Sequence, residues 1–106
     1  MSIFDNREEA FEKRYAHEQE LQFRAEARRN RLFGLWAAEK LGKSGPEAEG
    51  YAEALVVAEA SANADERVFS SVKADFAAAG VEQSDHQLRR TLDELLEKAR
   101  LELKQG

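Results

Sequence analysis

The chain has 106 residues, and 18 of its 45 apolar residues are alanine, so 27 larger apolar side chains remain to build a core. That is enough for one compact core and not two, because a domain of this size buries only roughly two-thirds of its unfolded surface. A net charge of −5 argues against a dedicated nucleic-acid binder, and the absence of cysteine removes disulfides, thiolate nucleophiles and zinc knuckles. The N-terminus has no apolar h-region and the longest apolar run, 32–38, is seven residues. Neither a secretory signal nor direct membrane insertion is expected, and the composition is that of a small, soluble, cytoplasmic domain.

Helix formers dominate, and β-branched residues never alternate over a strand length, so the expected fold class is all α. Asp5 with Glu8 has the spacing of a capping box, opening a helical stretch to about Leu41 that Gly42 ends. Gly45-Pro46 opens a second helix to about Ala62, since proline in a first turn gives up only an amide without a partner. Tyr51, Leu55, Ala58 and Ala62 share one of its faces. Asn63 with Glu66 reads as a further capping pair, before a third helix whose buried stripe is Val68, Phe69, Val72 and Phe76. Gly80 stops that helix, Ser84 with Gln87 caps a fourth, and Leu88, Leu92, Leu95, Ala99 and Leu103 face inward from it. The architecture expected is a small antiparallel bundle.

The first stretch carries two apolar stripes. Phe4, Phe11 and Tyr15 form one, while Leu21, Ala25, Leu32 and Trp36 cluster roughly 80° away on a helical wheel. Between them, residues 16–20 contain no large apolar side chain. Charge divides the stretch as well: residues 1–20 carry a net −3, with Asp5, Glu8, Glu9 and Glu12 repelling along one face, whereas residues 24–40 carry five bases and two acids. One core does not easily use both stripes, so residues 1–19 read as a mobile N-terminal segment and 20–106 as the bundle. A narrow aromatic stripe on a marginal acidic helix suits a helix-in-groove ligand. The alternative at this point is that Phe4, Phe11 and Tyr15 fold back on the bundle.

No constellation reads as catalytic. Gly42-Lys43-Ser44 resembles the tail of a P-loop, but Ala37 stands where the first glycine belongs and a helix replaces the required strand. His17-Glu18 begins a zincin-like pattern, yet Leu21 occupies the second histidine position, and no metal site or other cofactor is expected. Arg28, Arg29 and Arg31 have no aromatic platform except Phe33, which argues against RNA. The Asp and Glu pairs read as solvated helix surface rather than an acid–base pair.

Residues 27–42, Ala-Arg-Arg-Asn-Arg-Leu-Phe-Gly-Leu-Trp-Ala-Ala-Glu-Lys-Leu-Gly, closely resemble the signature of the zeta subunit of alphaproteobacterial F-type ATP synthases. The opening Phe-Asp-Asn-Arg-Glu-Glu-Ala-Phe-Glu of 4–12, Ala-Gly-Val at 79–81, Ser-Asp-His-Gln-Leu-Arg-Arg at 84–90 and Asp-Glu-Leu-Leu at 93–96 match as well, so the resemblance spans nearly the whole chain. It implies a four-helix bundle with a mobile N-terminal segment that inhibits ATP hydrolysis at the cytoplasmic face of the membrane-bound synthase. That segment would become helical as it wedges into the catalytic headpiece, among its alpha, beta and gamma subunits. On this reading Phe4, Phe11 and Tyr15 are apolar anchors, Arg7, Lys13 and Arg14 pair with partner carboxylates, and Glu8 belongs to the same partner-binding segment. Residues 61–64 are less acidic than in relatives and lack a proline often found there, which leaves the second inter-helix turn open. Two other readings remain: a nucleotide-sensing bundle in which Arg28 and Arg29 meet a phosphate and bind adenine nucleotide weakly, and an assembly factor whose N-terminus is only a tail.

Overall fold

The computed structural model describes residues 3–57 and 63–105, with side chains described for 12–57 and 63–104. Among these, four helices follow one another: α1 (Ile3–Lys40), α2 (Gly45–Val57), α3 (Ala64–Ala79) and α4 (Asp85–Gln105). The described residues contain no strand. Side-chain pairs fix the relative directions of α1, α3 and α4. Arg29 meets Asp65 and Trp36 meets Phe76, so α1 and α3 run the same way. Lys73 meets Asp85 and Glu66 meets Arg89, so α3 and α4 run oppositely.

The turns follow from the residues that close them. Gly42 adopts φ +80°, a left-handed conformation open to glycine at little cost. It lets the Lys43 amide donate to the Ala38 carbonyl at 2.8 Å, which satisfies one of the orphan acceptors at the end of α1. The Gly80 turn works the same way, with the Val81 amide donating to the Phe76 carbonyl at 2.9 Å while Val81 packs back onto the core. At the start of α4 the capping box is closed in both directions: the Gln87 amide donates to Ser84 Oγ at 3.1 Å and the Ser84 amide to Gln87 Oε1 at 2.9 Å.

Other expectations fail for identifiable reasons. Asn63 precedes α3 at φ 61°, ψ 36° and its side chain makes no cap bond. A capping side chain needs the extended backbone of an N-cap, which a left-handed residue does not have. Helix α1 begins at Ile3, so Asp5 lies within it rather than at its start. The expected face of α2 holds at Tyr51 and Leu55, whereas Ala58 and Ala62 lie outside the described residues.

The core joins all four helices: Phe33 and Ala37 from α1, Leu55 from α2, Val68, Phe69, Val72 and Phe76 from α3, Leu88 and Leu92 from α4. Trp36 is only half-buried; it stacks on Phe33 at 5.5 Å between ring centroids and meets Phe76 at 5.7 Å. Helices α1 and α2 approach closely because Gly34 has no side chain. A Cβ there would stand 2.6 Å from the Ala52 Cα. Overpacking at such a point costs about 1–3 kcal/mol, against a gain in helix propensity of at most about 1 kcal/mol. Gly34→Ala is therefore expected to lower the thermal midpoint by several degrees, read by circular dichroism. An unchanged or raised midpoint would show that α1 and α2 can separate without cost.

Candidate partner-binding arm

Helix α1 is about 57 Å long at 1.5 Å per residue, and the molecule extends 64 × 25 × 21 Å. Its neighbours cover only part of it. Every described side chain from Glu12 to Arg24 is exposed, and Ala25 is the first buried one. Lys13, Arg14 and Tyr15 stand on this uncovered arm, Tyr15 at 58% exposure. The positions of Phe4, Arg7, Glu8 and Phe11 fall on the same continuous helix, and their side chains lie outside the described residues.

The arm and the core use the same face of α1. Inside the bundle the buried rows are Ala25, Arg29, Phe33 and Ala37 beside Asn30, Gly34 and Ala38. Eighteen residues make five full turns, so Tyr15 stands in phase with Phe33, and position 11 with Arg29. The two-stripe expectation is corrected accordingly. Leu21 is exposed, and Leu32 and Trp36 are half-buried at the flanks, because small residues and Arg29 occupy the line of closest approach. Periodicity of large apolar residues missed that line, since three of its members are alanine or arginine.

The arginine cluster ties the bundle together. Arg28 donates twice to Glu102 Oε2 of α4, at 3.0 and 2.6 Å. Arg29, with 5% of its side chain exposed, donates to Asp65 Oδ1 of α3 at 2.6 Å and to Asn30 Oδ1 at 2.9 and 3.1 Å. Arg31 reaches Glu49 of α2 at 2.7 Å. Three nearby arginines thus hold three different helices. Between α4 and α3, Arg89 pairs with Glu66 through two bonds, which hold its proton more firmly still, and its guanidinium lies 4.0 Å from the Phe69 ring centroid.

The remaining sequence candidates have structural surroundings. Lys43 pairs with Glu47 at 3.2 Å near the Tyr51 ring. His17 and His86 are exposed on different helices, and the described residues contain no group of three metal-ligating side chains. Tyr51 Oη donates to Asp75 Oδ2 at 2.7 Å. Burial first, then the bond to Asp75 and its negative charge, push the phenol well above the ordinary tyrosine value.

A helix that runs bare beyond its core offers the kind of surface that helix-in-groove binding uses. The chain belongs to the ATPase inhibitor subunit zeta family, whose model matches residues 1–102 and so takes in arm and bundle together. An inhibitor family makes the protein regulatory. No curated protein matches the chain. No helix among the described residues is long and apolar enough to cross a membrane.

Two outcomes test these contacts. Asp65→Ala leaves the buried Arg29 without its carboxylate, whereas Glu49→Ala frees an Arg31 that water already reaches. The first is expected to cost about 1–3 kcal/mol and the second under about 1 kcal/mol in urea unfolding; equal losses would refute the distinction. For Tyr51, the unfolded chain ionises first as pH rises past about 10, while the folded state holds the proton. Stability is full below that pH and declines above it. Tyr51→Phe is expected to flatten this alkaline decline in thermal midpoint, and an unchanged decline would assign it elsewhere.

Proposed function

We propose that the protein inhibits ATP hydrolysis by the F-type ATP synthase, acting at its cytoplasmic face. Residues 1–19 are the inhibitory element and residues 20–106 the bundle that carries it. The arm inserts into the catalytic headpiece between catalytic subunits and the rotating stalk, among the alpha, beta and gamma subunits. Phe4, Phe11 and Tyr15 fill apolar pockets there, and Arg7, Lys13 and Arg14 pair with carboxylates. Glu8 lies on the inserted helix beside them. The observation that carries this reading is the bare continuation of α1, on which Tyr15 repeats the phase of Phe33 with nothing packed against it. A helix without neighbours is marginal in water, so the free arm frays and docking completes it. A phosphate at Arg28 and Arg29 would have to displace Glu102 and Asp65, so the arm reading is better supported than nucleotide sensing.

Hydrolysis by purified headpiece provides the test. The chain lacking residues 1–19 is expected to unfold cooperatively and to inhibit little. Phe11→Ala and Tyr15→Ala are expected to weaken inhibition by about tenfold or more, at about 1.4 kcal/mol per factor of ten, with the thermal midpoint unmoved. Full inhibition by the truncated chain would transfer the activity to the bundle.

A further inference from the structure

Two large apolar side chains stand where the arm leaves the bundle, Leu21 at the edge of a cleft against α4 and Phe23 more than half in solvent. Leu21 is 38% and Phe23 56% exposed. They lie two residues apart and so point about 160° away from each other. Leu21 borders a cleft of about 290 Å³ between α1 and α4, lined also by Ala25, Arg100, Leu103 and Lys104. Phe23 borders a groove of about 580 Å³ on another side of α1, with Ala27, Leu35, Val56 and Leu103 among its walls. Together with Tyr15 the exposed apolar side chains sweep about 200° of the helix circumference.

That spread decides what can cover them. A second helix, from another copy of this chain or elsewhere, packs on one face of α1 and leaves either Leu21 or Phe23 wet. A helix apolar on several sides is one that becomes enclosed. Two of the polar neighbours bond along the helix: Arg24 pairs with Glu20 at 2.6 Å, and Gln22 donates to Glu26 at 3.3 Å.

We propose that Leu21 and Phe23 form an apolar collar that seats against the rim of the socket in the catalytic headpiece, extending the interface past residue 19 and setting how deep the arm enters. The inference rests on the arm reading given above. The collar contacts are apolar, so their contribution differs in kind from that of Arg7, Lys13 and Arg14, which salt screens.

The test uses the full-length chain. Leu21→Gln and Phe23→Gln keep helix propensity; the thermal midpoint should hold in Phe23→Gln and fall slightly in Leu21→Gln, which gives up packing in its cleft against α4. Each is expected to weaken inhibition of headpiece hydrolysis about tenfold, by the same factor at low and high salt, while Phe23→Leu retains most of the inhibition. Wild-type inhibition by both Gln variants would overturn the collar and leave the arm standing if Tyr15→Ala is impaired. Full inhibition by Phe11→Ala and Tyr15→Ala, with loss in the Gln variants, would overturn the arm and keep the two collar residues as contacts. A collar effect that fades with salt would overturn the apolar assignment. A free protein that sediments as a dimer and becomes monomeric in the Gln variants would assign these side chains to a second copy and overturn the proposal.

Discussion

A helix can be buried only along the length its neighbours reach, and α1, at 38 residues, outruns α2, α3 and α4 at 13, 16 and 21. This mismatch organises the molecule. The other helices are arranged around the C-terminal part of α1: α2 approaches it at Gly34, α4 runs back along it as far as the cleft lined by Glu18 and Lys104, and α3 is tied to it through Arg29. What remains is a helix without a counterpart. Among its described residues, Tyr15 and Phe23 are more than half exposed, and burying them fully requires another molecule.

In the proposed function the bundle must hold while the arm binds, and the distribution of charge serves that. Exposed ion pairs contribute little, because two flexible side chains must be ordered against a solvent that already satisfies them. Arg29 is different, being nearly inaccessible and bonded to a carboxylate and an amide. A buried guanidinium is no cheaper than a well-packed apolar residue, but it fixes one arrangement of α1 against α3 and disfavours others, since any shift strands the charge. The apolar core, by comparison, is built from interchangeable contacts. Register along α1 matters here because it sets how much of the helix projects.

Much of this was legible in the sequence where local chemistry acts alone. Gly42, Gly80 and the Ser84–Gln87 pair marked their turns correctly because each depends on residues a few positions apart. The stripes of α3 and α4 were legible because Val68, Phe69, Val72, Phe76, Leu88 and Leu92 are large and apolar. The stripe of α1 was not. Its core line runs through Ala25, which the wheel included, but also through Arg29 and Asn30, which a hydrophobic wheel discounts, while Leu32 and Trp36, which the wheel favours, sit at the flanks. Asn63 misled for a related reason, since its composition fits a cap and its backbone does not. The aromatic stripe of the arm was visible in the sequence, but that it continues the core face became visible only with the helix unbroken.

That continuity bears on why an inhibitory segment would be joined to a folded bundle. Starting a helix fixes several dihedrals for a single hydrogen bond, a nucleation factor of about 10⁻³. This corresponds to about 4 kcal/mol that a free segment must draw from its binding energy, at about 1.4 kcal/mol per factor of ten. In this protein the nucleus already exists, because residues 25–40 are held helical by the core and the arm extends the same hydrogen-bond ladder. Each further residue then adds by propagation, close to neutral in free energy. In the proposed function the aromatic contacts are therefore spent on affinity rather than on initiating structure. The in-phase geometry follows from the same arrangement: once helical, a face continuous with the core presents Tyr15 at an azimuth that Phe33 and Arg29 set.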